Sequence, residues 1–225
     1  MPKSTPLFGI LALALAIGAC DNKAEPAPAA APVAGKPEAI RPDAAKPAEP
    51  AAKPVDDRVL ADSGLGVGGK FKPFDIVNCD SGDQYCQVCK FGGSPKIMAV
   101  GTIDDEQFKK DLQDLDAIVA KYGDDKVKAF AVIAESKDGA LVTPLASKDD
   151  LQARAKALKE ELGINMPIVV PAAEGDAVNG VFEDHYQIKQ SRTIMFADGK
   201  NEVKYTAVAP ENYQALDEAI KAALG

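Results

Sequence analysis

The apolar positions in the C-terminal three quarters of the chain form two kinds of pattern, and the first of these, a recurrence every three or four residues, predicts helices. Residues 104–122, 148–162 and 210–224 each carry apolar side chains at spacings of three and four residues. In the first segment these side chains form one face, composed of Phe108, Leu112, Leu115, Ile118, Val119 and Tyr122. Gly123 and Gly163 follow the first two segments, as expected for residues that end a helix.

The remaining apolar segments are short and uninterrupted, which is typical of strands covered on both faces. They predict strands at residues 73–79, 96–101, 127–135, 166–170, 192–198 and 202–209. The last two flank Gly199-Lys200-Asn201, so we expect them to form an antiparallel hairpin. Because helices that connect neighbouring strands require those strands to be parallel, we expect a mixed sheet with residues 73–79 at its edge.

The order of these elements resembles that of the thioredoxin-like superfamily across residues 95–225. The tail "TIMFADGKNEVKYTAVAPENYQALDEAIKAAL" is especially similar to the C-terminal hairpin and helix of its membrane-tethered members. The resemblance lies in the layout and not in the active-site motif. It implies an α/β fold, a three-layer sandwich with a mixed central sheet.

The N-terminus has the features of an export signal. Lys3 is the only charged residue before an apolar run from Leu7 to Ile17, and this run is too short to span a bilayer. The sequence Ile17-Gly18-Ala19-Cys20 resembles a bacterial lipobox. The resemblance implies that residues 1–19 are removed as a lipoprotein signal peptide and that Cys20 is lipidated. We therefore expect a protein of the bacterial cell envelope, anchored to a membrane through this lipid, with its domain facing the periplasm.

Composition divides the rest of the chain into a tether and one domain. Of residues 21–57, 12 are Ala, 8 are Pro and none is aromatic. Such a segment cannot bury enough apolar surface to fold, so residues 20–57 are predicted to be a disordered tether. Residues 58–225 have the length of a single domain, which would carry the cysteine-bearing extension at its N-terminal end. The net charge of −8 argues against nucleic acid as a partner.

The candidate chemistry of the domain lies in its cysteines. Cys86 and Cys89 are spaced C-x-x-C, and Cys79 precedes them. We expect Cys86 and Cys89 to exchange disulfides with envelope proteins that carry thiols or disulfides, with Cys86 as the attacking thiol. Cys79 is the candidate resolving thiol.

The position of this pair departs from the pattern of the superfamily. A catalytic thioredoxin has its C-x-x-C between the first core strand and the first helix, where this chain reads Gly101-Thr102-Ile103-Asp104-Asp105. Thr102 and Asp105 are instead spaced as in a capping box. The superfamily's cis-proline is also missing, since Ser191 and Arg192 precede the hairpin. Because the cysteines come before the strand at 96–101, we expect them at the pole opposite the usual crevice.

Two other interpretations remain open. A disulfide such as Cys79–Cys86 or Cys79–Cys89 would stabilise a non-catalytic interaction domain, and spacing cannot decide the pairing. Alternatively, Cys86, Cys89 and His185 would bind copper, as in Sco-type copper proteins, which the combination of two cysteines and a downstream histidine resembles. Apart from copper in this alternative, the sequence indicates no cofactor.

Overall fold

The computed structural model describes residues 57–137, 140–142, 148–174, 177–178 and 181–225. The predicted signal peptide, the lipidation site Cys20 and nearly all of the predicted tether lie outside these residues. Within the described part of the chain, no helix combines the length and the apolar character needed to cross a membrane.

The described residues form short strands, four α-helices and one π-helix. The strands are β1 (Asp75–Asn78), β2 (Gln84–Cys86), β3 (Lys96–Gly101), β4 (Lys128–Ile133), β5 (Glu135–Lys137), β6 (Ala140–Val142), β7 (Ile168–Pro171), β8 (Ala173–Glu174), β9 (Ala177–Val178), β10 (Thr193–Ala197) and β11 (Val203–Val208). The helices are α1 (Gln87–Phe91), α2 (Glu106–Tyr122), α3 (Lys148–Leu162), the π-helix (Val181–Tyr186) and α4 (Gln214–Leu224).

Seven of the described strands form one mixed sheet in the order β11-β10-β3-β4-β7-β1-β2. Strands β3, β4 and β7 are parallel, whereas β10 pairs antiparallel with both β3 and β11. This confirms the predicted mixed sheet and the predicted C-terminal hairpin. Two small hairpins, β5-β6 and β8-β9, lie outside the sheet.

Strand β1, which corresponds to the predicted edge strand, is not at the edge of the sheet. It pairs with β7 on one side and with β2 on the other, so that β2 forms the border of the sheet. The reason lies in the turn between them, where the Asn78 side-chain oxygen accepts hydrogen bonds from the backbone N–H groups of Asp80 and Ser81. An asparagine that binds the following backbone in this way reverses the chain, and a three-residue strand was too short to be predicted.

The first face of the sheet is covered by helices α2, α3 and α4. Their apolar stripes pack on the sheet as one cluster, which includes Phe108, Leu112 and Leu115 of α2, Leu151 and Leu158 of α3, and Leu216 and Ile220 of α4. These are the side chains whose spacing predicted the helices. We call this cluster the first core.

The second face is covered by less regular chain. Residues 57–74, α1 and the π-helix pack against the sheet, with Leu65, Phe71, Phe74, Val88, Phe182 and Tyr186 among the buried side chains. Three of them, Phe74, Phe182 and Tyr186, lie with their ring centroids 5.0–5.8 Å apart. We call this cluster the second core. It shows why the domain begins well before the first strand.

Two predicted helix starts differ from the structure. Helix α2 is capped by Asp105 and not by Thr102, because the Asp105 carboxylate accepts hydrogen bonds from the backbone N–H groups of Gln107 and Phe108. Helix α4 begins at Gln214 and not at Pro210. Here the Asn212 side chain accepts a hydrogen bond from the Gln214 N–H, while the carbonyl of Pro210 binds Arg192.

Candidate active site

Cys86 and Cys89 are joined in a disulfide, with their Cα atoms 5.2 Å apart. Strand β2 ends at Cys86, and helix α1 begins at the next residue. The Cys86 sulfur caps this helix, since it accepts a hydrogen bond of 3.0 Å from the backbone N–H of Cys89. The structure thereby decides the connectivity. The alternative pairings Cys79–Cys86 and Cys79–Cys89 are wrong for this state, because the Cys79 thiol is free.

The two cysteines of the disulfide have different surroundings. Cys89 is exposed on the outer side of the helix, whereas Cys86 is half-buried. Cys86 packs against the second core, as do its neighbours Tyr85 and Phe91. One end of the disulfide is therefore open to a partner and the other is sheltered by the protein.

The two residues between the cysteines are both buried, but only one of them has surroundings that suit its side chain. Val88 is an apolar member of the second core. Gln87 is 1% exposed, and neither its amide nitrogen nor its amide oxygen has a hydrogen-bond partner. A buried amide without partners costs free energy, so Gln87 makes this turn less stable than an apolar residue of the same size would.

Two lysines hold the ends of the segment. The Lys90 ammonium lies 4.4 Å from the centre of the Tyr85 ring, a cation–π contact back to β2. The buried Lys96 ammonium donates to the carbonyl of Gly92, at 2.8 Å, and to the side-chain oxygen of Asn201. Burial lowers the pKa of Lys96 from its usual value. Lys96 thus ties the end of α1 to the hairpin turn between β10 and β11.

The register of β2 places the disulfide at an end of the sheet that the sequence did not predict. Cys86 pairs with Asp75, whose carbonyl accepts the N–H of Ala172, directly after β7. Strand β7 is the nearest strand that runs parallel to β2. Cys86 therefore lies level with the carboxyl end of β7 and not with its amino end. Helix α1 then leads back to the amino end of β3, and only its last residues lie at the predicted pole.

Cys79 is separated from the disulfide. It belongs to the first core, and it lies four residues along the chain from Asp75, which is about 14 Å at strand spacing. Burial raises the pKa of its thiol to about 12, with a further contribution from Asp80. This geometry and protonation state argue against the predicted resolving role.

The structure does not assemble the predicted copper ligands. His185 is 5% exposed, and its Nε2 atom lies 2.8 Å from the carbonyl oxygen of Lys70, in hydrogen-bonding contact. The described residues contain no group of three or more His, Cys, Asp or Glu side chains that could hold a metal ion. The set Cys86, Cys89 and His185 therefore does not fit copper in this conformation, and His185 has a structural hydrogen bond instead.

A polar network occupies the place between β3 and α2 where the superfamily carries its dithiol. Ser191 donates to the second carboxylate oxygen of Asp105 at 3.0 Å and accepts the N–H of Thr102. Nearby, the Arg192 guanidinium forms a two-pronged ion pair with the buried carboxylate of Asp111, at 2.6 and 3.0 Å. These groups satisfy one another, so this end of the sheet is closed by hydrogen bonds.

Sequence reasoning missed Gln87, Lys96 and the Asp111–Arg192 pair. A signal existed for two of them. Lys96 opens an otherwise apolar strand, and Asp111 lies three residues after Phe108, on the buried side of its helix. The partners could not be found in this way, because Arg192 follows Asp111 by 81 residues and Asn201 follows Lys96 by 105.

Comparison with known proteins identifies the fold. No protein-family model and no curated protein sequence matches the chain. Among solved structures, it is similar to an exposed lipoprotein thioredoxin from Streptococcus pneumoniae strain TIGR4, with 20% identity, a TM-score of 0.51, and coverage of 67% of this chain and 99% of that one.

Two further structures give the same result. The thioredoxin domain of a thiol-disulfide oxidoreductase from Bacteroides vulgatus is 12% identical, with a TM-score of 0.53 and coverage of 72% of this chain and 99% of that one. A thiol-disulfide isomerase from Corynebacterium glutamicum is 12% identical, with a TM-score of 0.52 and coverage of 69% and 96%. The domain therefore has the predicted thioredoxin-like fold.

Proposed function

Starting from a thioredoxin-like fold that carries a disulfide on a short surface helix, we propose that the Cys86–Cys89 pair exchanges disulfides with protein thiols of the cell envelope. The observation that carries this proposal is the disulfide itself, which closes across two residues and leaves Cys89 exposed. A disulfide exchanges only where an attacking thiolate can reach a sulfur atom, and this one meets that condition.

Two features support a redox function over a purely structural bond. The disulfide joins neighbouring residues of one turn, so it adds no link between distant parts of the fold. In the chain-entropy description, the stabilisation of the folded state by a disulfide grows with the logarithm of the length of the loop that it closes. The loop between the two cysteines of a C-x-x-C is very short, so this contribution is small. Two structural neighbours are described as a thiol-disulfide oxidoreductase and a thiol-disulfide isomerase, which supports the same chemistry for this protein.

Equilibration in glutathione buffers tests this function. Purified residues 21–225 are incubated at a series of ratios of reduced to oxidised glutathione, free thiols are alkylated, and the mass of the protein gives the reduced fraction. We expect a midpoint between about −120 and −270 mV, the range of disulfide oxidoreductases. A Cys79→Ala variant should give the same midpoint, since this thiol lies outside the pair. A bond that remains oxidised below about −300 mV would contradict the proposal.

A non-catalytic interaction domain is the second candidate function, and one observation favours it. The end of the sheet between β3 and α2 is closed by the Asp105–Ser191 and Asp111–Arg192 contacts. If the glutathione experiment shows an inert disulfide, this candidate replaces the first. The lack of any transfer of oxidation to a reduced protein substrate would support the same conclusion.

We also propose that the domain is tethered to a membrane through lipid on Cys20. The motif Ile17-Gly18-Ala19-Cys20 and the Ala- and Pro-rich segment after it support this. One structural neighbour is described as an exposed lipoprotein thioredoxin. The test is fractionation of cells that express the full chain. The wild-type protein should sediment with membranes and carry the added mass of the lipid. The Cys20→Ser variant should lack that added mass. Equal lipidation of both would refute the assignment.

A further inference from the structure

We propose that the sulfur atom of Cys89, and not that of Cys86, forms the mixed disulfide with a partner. Cys86 is then the leaving thiolate. This inference rests on the proposed exchange function and reverses the roles that the sequence predicts. Two observations lead to it: the unequal exposure of the two cysteines and the hydrogen bond between them.

Exposure determines which sulfur can be attacked. An incoming thiolate must approach the attacked sulfur in line with the bond that breaks, so the sulfur needs open space on the side away from its partner. Cys89 is exposed on the surface of α1. Cys86 is half-buried and packs against the second core, so its sulfur is less open to an incoming thiolate.

The hydrogen bond determines which sulfur leaves. The backbone N–H of Cys89 donates to the Cys86 sulfur at 3.0 Å. When the disulfide breaks and Cys86 takes up the electron pair, this contact becomes a charge-assisted hydrogen bond and stabilises the thiolate. No equivalent donor to the Cys89 sulfur is present among the described residues. A stabilised thiolate is the better leaving group, so bond cleavage toward Cys86 is favoured.

One neighbour opposes negative charge on Cys86. Asp75 is its cross-strand partner, and side chains that face each other in an antiparallel pair lie on the same side of the sheet. The hydrogen bond from Cys89 is direct, but Asp75 lies on β1, inside the sheet, and is half-buried, so its carboxylate offsets part of that stabilisation. Access to the sulfur is therefore the stronger argument, and the hydrogen bond acts in the same direction.

The exchange with one dithiol partner then balances. A partner thiolate attacks the Cys89 sulfur, a bond forms between the partner and Cys89, and the Cys86–Cys89 bond breaks to leave the Cys86 thiolate. A second thiolate of the same partner attacks the partner's sulfur in the mixed disulfide and releases Cys89 as a thiolate. The partner gains one disulfide, the protein gains two electrons as a dithiol, and both thiolates take up protons from water.

The test identifies the sulfur that an external thiol attacks. Oxidised protein is treated briefly with 2-mercaptoethanol, at a concentration that reduces even stable disulfides, and then quenched with acid and alkylated. Trypsin leaves all three cysteines of the domain on the peptide that spans residues 71–90, because the bond between Lys72 and Pro73 resists cleavage. Fragmentation of this peptide in the mass spectrometer therefore assigns the adduct. A Cys79→Ala background removes the third thiol, and wild-type protein analysed in parallel gives the same assignment if that variant does not fold.

We expect the adduct on Cys89 to exceed that on Cys86 at least tenfold at early times. Unfolding in urea before treatment should bring the ratio close to one, because the difference comes from the fold. Equal adducts in the native protein, or an excess on Cys86, would overturn the inference. This outcome is separate from failure of the proposed function, which is measured by the midpoint in glutathione and not by the site of attack.

Discussion

The two faces of the sheet are covered in different ways. The first is covered by the three long helices α2, α3 and α4, and a buried ion pair between Asp111 and Arg192 closes its polar end. The second is covered by residues 57–74, a five-residue helix and a π-helix, and it leaves the amide of Gln87 without a partner. Cys79 belongs to the first face, and the disulfide packs against the second.

This difference indicates which face of the sheet opens more easily. Regular helices satisfy most of their own backbone groups, and the first face is expected to open only with the whole domain. Short and irregular segments have fewer such bonds, and functional segments are generally drawn from the less stable parts of a fold. The first face of the sheet therefore serves mainly the stability of the fold, and the second face carries the reactive disulfide.

The largest expected effect comes from removing the ion pair of the first face. The Asp111→Ala variant leaves the mostly buried Arg192 without its carboxylate, which we expect to lower the free energy of unfolding by about 3–5 kcal/mol. Urea denaturation followed by circular dichroism measures this loss. The reduction midpoint of the disulfide should not change in the same variant.

A double variant provides the control for the ion pair. Replacing both partners, as Asp111→Leu with Arg192→Met, leaves no unpaired charge and should lose clearly less stability than Asp111→Ala alone. If Asp111→Ala costs less than about 1 kcal/mol, the pair behaves as a surface contact and the proposed role of this network is wrong.

The thiols of the two faces should differ in reactivity. The pKa of Cys79 is raised from 9.0 to about 12, so its proton is retained and the reactive thiolate appears only as the pH approaches 12. At pH 8 this difference of three pH units leaves roughly a thousandfold less thiolate than in the unfolded chain. We expect iodoacetamide to modify Cys79 at least that much more slowly in native protein than in urea, as followed by mass spectrometry.

The same shift gives a pH dependence of stability with a definite sign. Because the folded state keeps the Cys79 proton while the unfolded state loses it above pH 9, this group lowers stability as the pH rises from 9 toward 12. A Cys79→Ala variant should lack this component of the pH profile. Reduced Cys89 serves as the control for alkylation, and equal rates at Cys79 and Cys89 in native protein would contradict the assignment of faces.

The smallest expected effect is a gain in stability on the second face. In the Gln87→Leu variant, an apolar side chain of similar size replaces the unsatisfied amide, which should raise the free energy of unfolding by about 1–3 kcal/mol. The matched control is Gln107→Leu, because Gln107 is exposed on α2 and its replacement should change stability by no more than about 0.5 kcal/mol. Loss of stability in Gln87→Leu would show that the amide has a partner.

Prediction from sequence succeeded where the physical cause is local. The periodic apolar positions of α2 and α3 and the uninterrupted apolar runs of β3 and β4 appear in the structure within two residues of the predicted bounds. It failed at β2, because three residues carry too little pattern, and at the cap of α2, because both Thr102 and Asp105 suit that position. For the candidate site, the sequence indicated the cysteines but not their surroundings.

The sequence by itself determined the type of sheet, the three long helices and the residues that can do chemistry, since periodicity and residue type depend on near neighbours in the chain. Only the tertiary structure decided that Cys86 bonds to Cys89 while Cys79 stays free, that Cys89 is the exposed cysteine, and that Lys96 reaches Asn201. These features depend on which distant segments meet and on how much water each side chain retains. Burial and long-range contacts belong to the folded chain as a whole, and no short stretch of residues specifies them.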